Sequence, residues 1–87
     1  MNEHIELVKK FLANDDSVTE AELKANKNDA RAAWAARAAV DCDAAEAAYW
    51  AALWAFRAAY WADNLGDAEY NKKLAIAAIK EYEELTK

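Results

Sequence analysis

Proline is absent from this chain, and glycine, cysteine and histidine each occur once in 87 residues. An average chain of this length carries roughly six Gly and four Pro, the residues that make tight turns and hairpins. Their scarcity argues against a β-sandwich or barrel. One Cys (Cys42) and one His (His4) exclude a zinc ribbon or an internal disulfide framework. A single Gly cannot supply the glycine-rich turn of a P-loop or a dinucleotide fold. Middle-sized apolar side chains are few, with Leu, Ile, Val and Phe numbering 15 together. Positive charge is in deficit, 11 Lys and Arg against 16 Asp and Glu, for a net charge of −5. That sign disfavours binding to a nucleic-acid backbone, and its size is ordinary for solubility.

What is abundant is alanine, at 24 residues, beside four Trp and four Tyr. Alanine is the strongest helix former, and so many aromatics do not suit a disordered chain. The composition predicts a single all-α domain over residues 1–87. The start of the chain is polar and acidic, so no secretory signal is expected. A lone Cys suits a reducing cytoplasm. Residues 44–62 are the one stretch that resembles a membrane span. Glu46 and Arg57 interrupt it, and no membrane partner is expected.

Three helices are predicted. In the first, residues 3–13, Ile5, Leu7, Val8, Phe11 and Leu12 share one side and Glu6, Lys9 and Lys10 the other. His4 stands at the edge of the apolar side, where a partly covered surface histidine is expected. Asn14, Asp15 and Asp16 end this helix. Ser17 and Glu20 form a capping box that starts the second. The next strong stop is Asp63-Asn64-Leu65-Gly66-Asp67, with Gly66 placed for a positive φ and Asp67 as the next cap. Nothing between them forces a break, so one helix over 18–63 is expected, about 45 residues and about 67 Å long. The weakest point is Val40-Asp41-Cys42-Asp43. A second capping box of Asp43 with Glu46 there would give a four-helix bundle instead. The third helix, 67–85, buries Ala68, Tyr70, Leu74, Ala75, Ala78, Ile79, Tyr82 and Leu85. It is expected to fold back as an antiparallel hairpin, with the short first helix over the other half.

Residues 44–62 separate into two arcs at about 100° per residue. Ala44, Ala47, Ala48, Ala51, Ala52, Ala55, Ala58, Ala59 and Ala62 fill one. Tyr49, Trp50, Leu53, Trp54, Phe56, Tyr60 and Trp61 fill the other, with Glu46 and Arg57 among them. The six aromatics bring roughly 1,000 Å² of surface, and a monomer seldom exposes an apolar patch above about 600 Å². Self-association into a helical oligomer is therefore expected. Ala44, Ala48, Ala51, Ala55, Ala58 and Ala62 are the candidate interface, because alanines let backbones approach closely.

No residue qualifies as catalytic and none as a metal ligand. Asp41 and Asp43 point to different sides of a helix, and their charge disfavours a reactive thiolate at Cys42. The chain is read as a non-enzyme without a cofactor. Arg57 stands among Trp50, Trp54, Tyr60 and Trp61. A guanidinium there stacks on indole, forms an ion pair with Glu46 between subunits, snorkels to water, or holds a phosphate over aromatics that stack a nucleobase. These five residues are the candidate ligand site, between subunits. Lys72 and Lys73 are solvated surface charge or added phosphate contacts.

The segment His4-Ile5-Glu6-Leu7-Val8-Lys9-Lys10-Phe11-Leu12 at the start, Ser17-Val18-Thr19-Glu20 with Glu22-Leu23 and Ala25-Asn26 after it, and Tyr82-Glu83-Glu84-Leu85-Thr86 at the end flank the alanine and aromatic middle. In this frame the chain resembles small alanine-rich helical accessory proteins of tailed bacteriophages. The resemblance implies action in the host bacterial cytoplasm and a counter-defence role. Sequestration of a nucleotide-type immune signal is the first expectation. Inhibition of a host defence enzyme by direct protein contact, or self-assembly alone, are the alternatives.

Overall fold

The computed structural model of the chain describes residues 2–13, 17–36, 42–62 and 64–87, with the side chains of Cys42 and Leu65 excepted. Among the described residues four helices follow one another: α1 (Glu3–Leu12), α2 (Glu20–Ala36), α3 (Cys42–Tyr60) and α4 (Leu65–Leu85). No strand occurs among the described residues. The expected stop at Asn14, Asp15 and Asp16, the weak point at Val40 and Asp41, and Asp63 lie outside them.

α1 starts at Asn2, whose side-chain oxygen accepts from the backbone N–H groups of His4 at 2.8 Å and Ile5 at 3.3 Å. Glu3 and Glu6 lie in its first turn and Lys9 and Lys10 in its last, both favourable to the helix dipole. α2 starts two residues later than the expected box. The Thr19 hydroxyl accepts from the Glu22 N–H at 3.1 Å, and the Glu22 carboxylate accepts in return from the Thr19 N–H at 3.2 Å. Register explains the shift. A cap at Thr19 puts Val18 immediately before it and Leu23 at the fourth helical position, the two sites of a hydrophobic staple. Val18 indeed packs on the core cluster that contains Leu23.

The helix expected over 18–63 is instead two helices lying side by side. The Trp34 and Tyr49 rings stack with centroids 5.6 Å apart; on one continuous helix they would be about 22 Å apart. The Lys27 ammonium lies 4.8 Å from the centre of the Phe56 ring, a separation that would be about 43 Å on a continuous helix. The longest dimension of the Cα trace, 39 Å, is also too short for such a rod.

α4 returns along α3 after residues 61–64, and α3 and α4 form the most extensive helix pair. Asn64, not Asp67, caps α4, its side-chain oxygen accepting from the Asp67 N–H at 3.2 Å. Gly66 therefore sits in the first turn of α4, and its φ lies outside the left-handed region. The positive φ expected for it is corrected accordingly. A Cβ added there meets only the Asn64 side chain, at 3.5 Å, an ordinary contact. Gly66→Ala is expected to stabilise the fold by about 0.5–1 kcal/mol, read as a higher urea midpoint. A fall in the midpoint would place a left-handed residue at this turn after all.

α3 is the axis of the core. Ala48, Ala51, Ala52 and Ala55 are at most 2% exposed. Ile5 and Val8 of α1, Leu23 and Ala30 of α2, and Ala75, Ala78 and Ile79 of α4 close over them in one cluster. Among the described residues two polar side chains are buried, both with partners: Asn71 donates to the Asp67 carbonyl at 2.9 Å, and Asn26 is joined to His4. An exposed Lys9–Glu83 pair at 3.2 Å links α1 to α4, and exposure holds its contribution to about 0–1 kcal/mol. On α4, Leu85 and Tyr70, expected inside, are 45% and 62% exposed.

Candidate functional site

The aromatic arc of α3 carries the candidate site, and its Trp54 packs on the alanine-rich core cluster. Trp50 stacks on Trp54, four residues on, with ring centroids 5.8 Å apart and planes 19° from parallel. The Arg57 guanidinium carbon lies 5.3 Å from the Trp54 ring centre. Residues 50, 54 and 57 recur at helical spacing, so ring, ring and cation follow one another along a single line. Beside that line Tyr60 meets Trp61 edge to face at 5.0 Å, and Phe56 meets Tyr60 at 6.0 Å. Trp50, Tyr60 and Trp61 are 36%, 59% and 48% exposed. Trp54 is half-buried and Arg57 exposed.

The structure thus brings Trp50, Trp54 and Arg57 together, while Tyr60, at the end of α3, and Trp61, just beyond it, form a second ring pair that Phe56 joins. Arg57 has no ion-pair or hydrogen-bond partner among the described residues, and neither has Glu46. The guanidinium is held only by the indole face, worth about 0.5–1 kcal/mol at an exposed site. Its N–H edge remains available to a carboxylate or phosphate. The stripe runs along the edge of α3, with Trp50 and Arg57 exposed and Trp54 packed on the core cluster. A ligand on it is covered on one side only, and enclosure requires a second surface.

The alanines expected at a subunit interface are mostly occupied within the chain. Ala48, Ala51, Ala55 and Ala58 are buried against its own helices. Ala44 is half-buried and Ala62 exposed. The physical reason is the reversal before α3. It gives α3 three intramolecular neighbours, α1, α2 and α4, and these cover the smooth face.

Lys72 lies over the Phe11 ring at 5.7 Å and 4.0 Å from Glu69, facing α1 rather than Arg57; Lys73 is exposed. A feature not foreseen from sequence is an open cleft of about 800 Å³ where α1 begins and α4 ends, bordered by Asn2, His4, Ala33, Ala44, Tyr82 and Thr86. His4 is half-buried there. Its Nδ1 is 2.8 Å from the Asn26 side-chain oxygen, and the Asn26 amide donates to the His4 carbonyl at 3.2 Å. An amide oxygen only accepts, so Nδ1 carries the proton. The pairing at a separation of 22 residues left no local signal in the sequence. No three His, Cys, Asp or Glu side chains among the described residues are grouped to hold a metal ion. No helix among them is long and apolar enough to cross a membrane.

Comparison with protein-family models, curated proteins and solved structures finds no match.

Proposed function

We propose that the chain is a non-enzymatic binding protein that works as a homo-oligomer and captures a planar, anionic, nucleotide-type molecule between copies, on the α3 stripe around Arg57. A counter-defence role in a phage-infected bacterial cytoplasm, by sequestering an immune signal, is the setting implied by the family resemblance. The observation that carries the reading is a guanidinium laid on an indole with no acidic partner among the described residues, 5.3 Å from the Trp54 ring, beside exposed aromatics. Each base stacked on an aromatic ring contributes about 1–3 kcal/mol. A charge-assisted hydrogen bond from Arg57 to phosphate adds about 1.5–3 kcal/mol. The net charge of −5 opposes a long polyanion much more than one small phosphate ester, whose charge is met locally.

Calorimetry against cyclic mono- and oligonucleotides and ADP-ribose derivatives tests the reading. At least one member is expected to release heat with saturable stoichiometry. Arg57→Ala is expected to weaken that binding by about 10- to 100-fold with unchanged helicity, because the side chain is exposed. Absence of heat across the panel from folded protein removes the ligand reading, and unchanged affinity in the variant moves the site away from Arg57.

A further inference from the structure

Around α3, the inward arc is taken by alanines, and Tyr49 and Phe56 lean toward Trp34 and Lys27 of α2. The remaining outward arc holds Asp43, Glu46, Trp50, Leu53, Arg57 and Tyr60. Their spacing is 3, 4, 3, 4, 3, the alternation of a coiled-coil seam. All six are exposed or half-buried. Glu46 and Arg57 lie on this seam with opposite charges, eleven residues apart. That is about 16 Å along the helix, too far for them to meet within one copy.

We infer that α3 pairs with the α3 of a second copy, antiparallel about a two-fold axis near residues 51 and 52, in the register that sets Glu46 against the partner's Arg57. The same operation sets Trp50 against the partner's Leu53 and Asp43 against the partner's Tyr60. A two-fold contact is self-complementary, so the single Glu46 and single Arg57 of each chain give two ion pairs per dimer. In a parallel pair Glu46 would face Glu46 and Arg57 would face Arg57, which is repulsive. A slip by one heptad leaves both charges without a partner. Charge therefore selects both direction and register. A single helix pair lies at the small end of specific interfaces, below about 1,200 Å², where association is weak and reversible. The pairing occupies the face assigned above to ligand capture and does not depend on any ligand. An anion that reaches Arg57 competes with the partner's Glu46.

Sedimentation equilibrium between 5 and about 300 µM tests the pairing with four proteins: the natural chain, Glu46→Arg, Arg57→Glu, and the double exchange. The natural chain is expected to dimerise with a midpoint in the micromolar range. Each single exchange is expected to weaken dimerisation by about tenfold or more, and the double exchange to bring it back to within about threefold of the natural value. Circular dichroism confirms that all four are folded, and both side chains lie outside the core. A natural chain that stays monomeric throughout overturns the inference. So does a double exchange no better than the worse single one, or single exchanges without effect. A dimer that binds no nucleotide removes the ligand reading alone, and a nucleotide bound by a strict monomer removes the pairing and the capture between copies while keeping Arg57 as the ligand site.

Discussion

Ala55→Leu is expected to lower the unfolding free energy by about 2–3 kcal/mol and the melting temperature by about 10 °C. Ala55 is 0% exposed and belongs to the buried cluster with Ala51 and Ala52 of the same helix and Ala75 of α4. Helices in contact through alanine approach at the short end of the usual 8–10 Å range. A leucine there adds three carbons where interior packing already fills about three quarters of the volume. Alanine neighbours have no rotamers with which to make room, so the strain passes directly to the helix axes. For 87 residues the total stability is of the order of 4–13 kcal/mol, and the loss is a large part of it. Ala77→Leu is the control, an exposed alanine on α4 where the same change is expected within about 0.5 kcal/mol of neutral. Urea unfolding of the two variants gives the comparison, and equal midpoints would mean that the alanine face of α3 is not packed within the chain. The same pair separates two uses of that face. If it joined subunits, Ala55→Leu would change association and leave monomer unfolding alone.

The all-helical fold was legible because it rests on local terms: alanine propensity, the near absence of Gly and Pro, and caps that act over three residues. The ends of α1 and α4 follow from the same terms to within a residue or two. The reversal between α2 and α3 was not legible as the first choice. The weak point at Val40-Asp41-Cys42-Asp43, with a capping box of Asp43 and Glu46, gives four helices only as the alternative, because no Gly, Pro or Asn stands there to mark a turn. Tertiary burial favours the reversal instead. A rod of about 67 Å would leave much of its alanine face uncovered by a third helix of about 30 Å, whereas α2 laid on α3 brings Leu23 and Ala30 into the same core. The misplaced oligomer interface has the same origin. Periodicity separated the alanines of α3 from its large side chains, but it cannot count how many neighbours the helix will have, and Tyr49, Trp54 and Phe56 of the aromatic arc pack on the core. The shift of the α2 cap from Ser17 to Thr19 is a smaller case. Both boxes fit the pattern, and only packing of Val18 on the core chooses between them.

Leu23→Ala is expected to cost more than most core truncations, about 3–5 kcal/mol within the usual span for losing a buried leucine. Leu23 is 0% exposed, and Ile5, Leu23 and Val8 are the largest fully buried side chains among the described residues. These three join α1 to α2 in a core otherwise built largely of alanine. The cost of a truncation depends on how far the site collapses around the void. Collapse by rotamer change needs long side chains at the rim, and alanine has none. The helices themselves would have to move, which would strain the His4–Asn26 bonds at 2.8 and 3.2 Å that fix α1 against α2. The void therefore stays largely open. Leu23→Met keeps the volume and is expected to cost less than about 1.5 kcal/mol. Denaturant titration of both variants supplies the test, with amide exchange reporting where the loss falls. Amides of α1 in Leu23→Ala are expected to exchange before those of α3 and α4, because α1 is the shortest helix and both of its buried side chains, Ile5 and Val8, belong to the cluster that contains Leu23. A loss below about 1 kcal/mol, or uniform exchange in all four helices, would mean that α1 docks by other contacts and that the alanine core is able to close on itself.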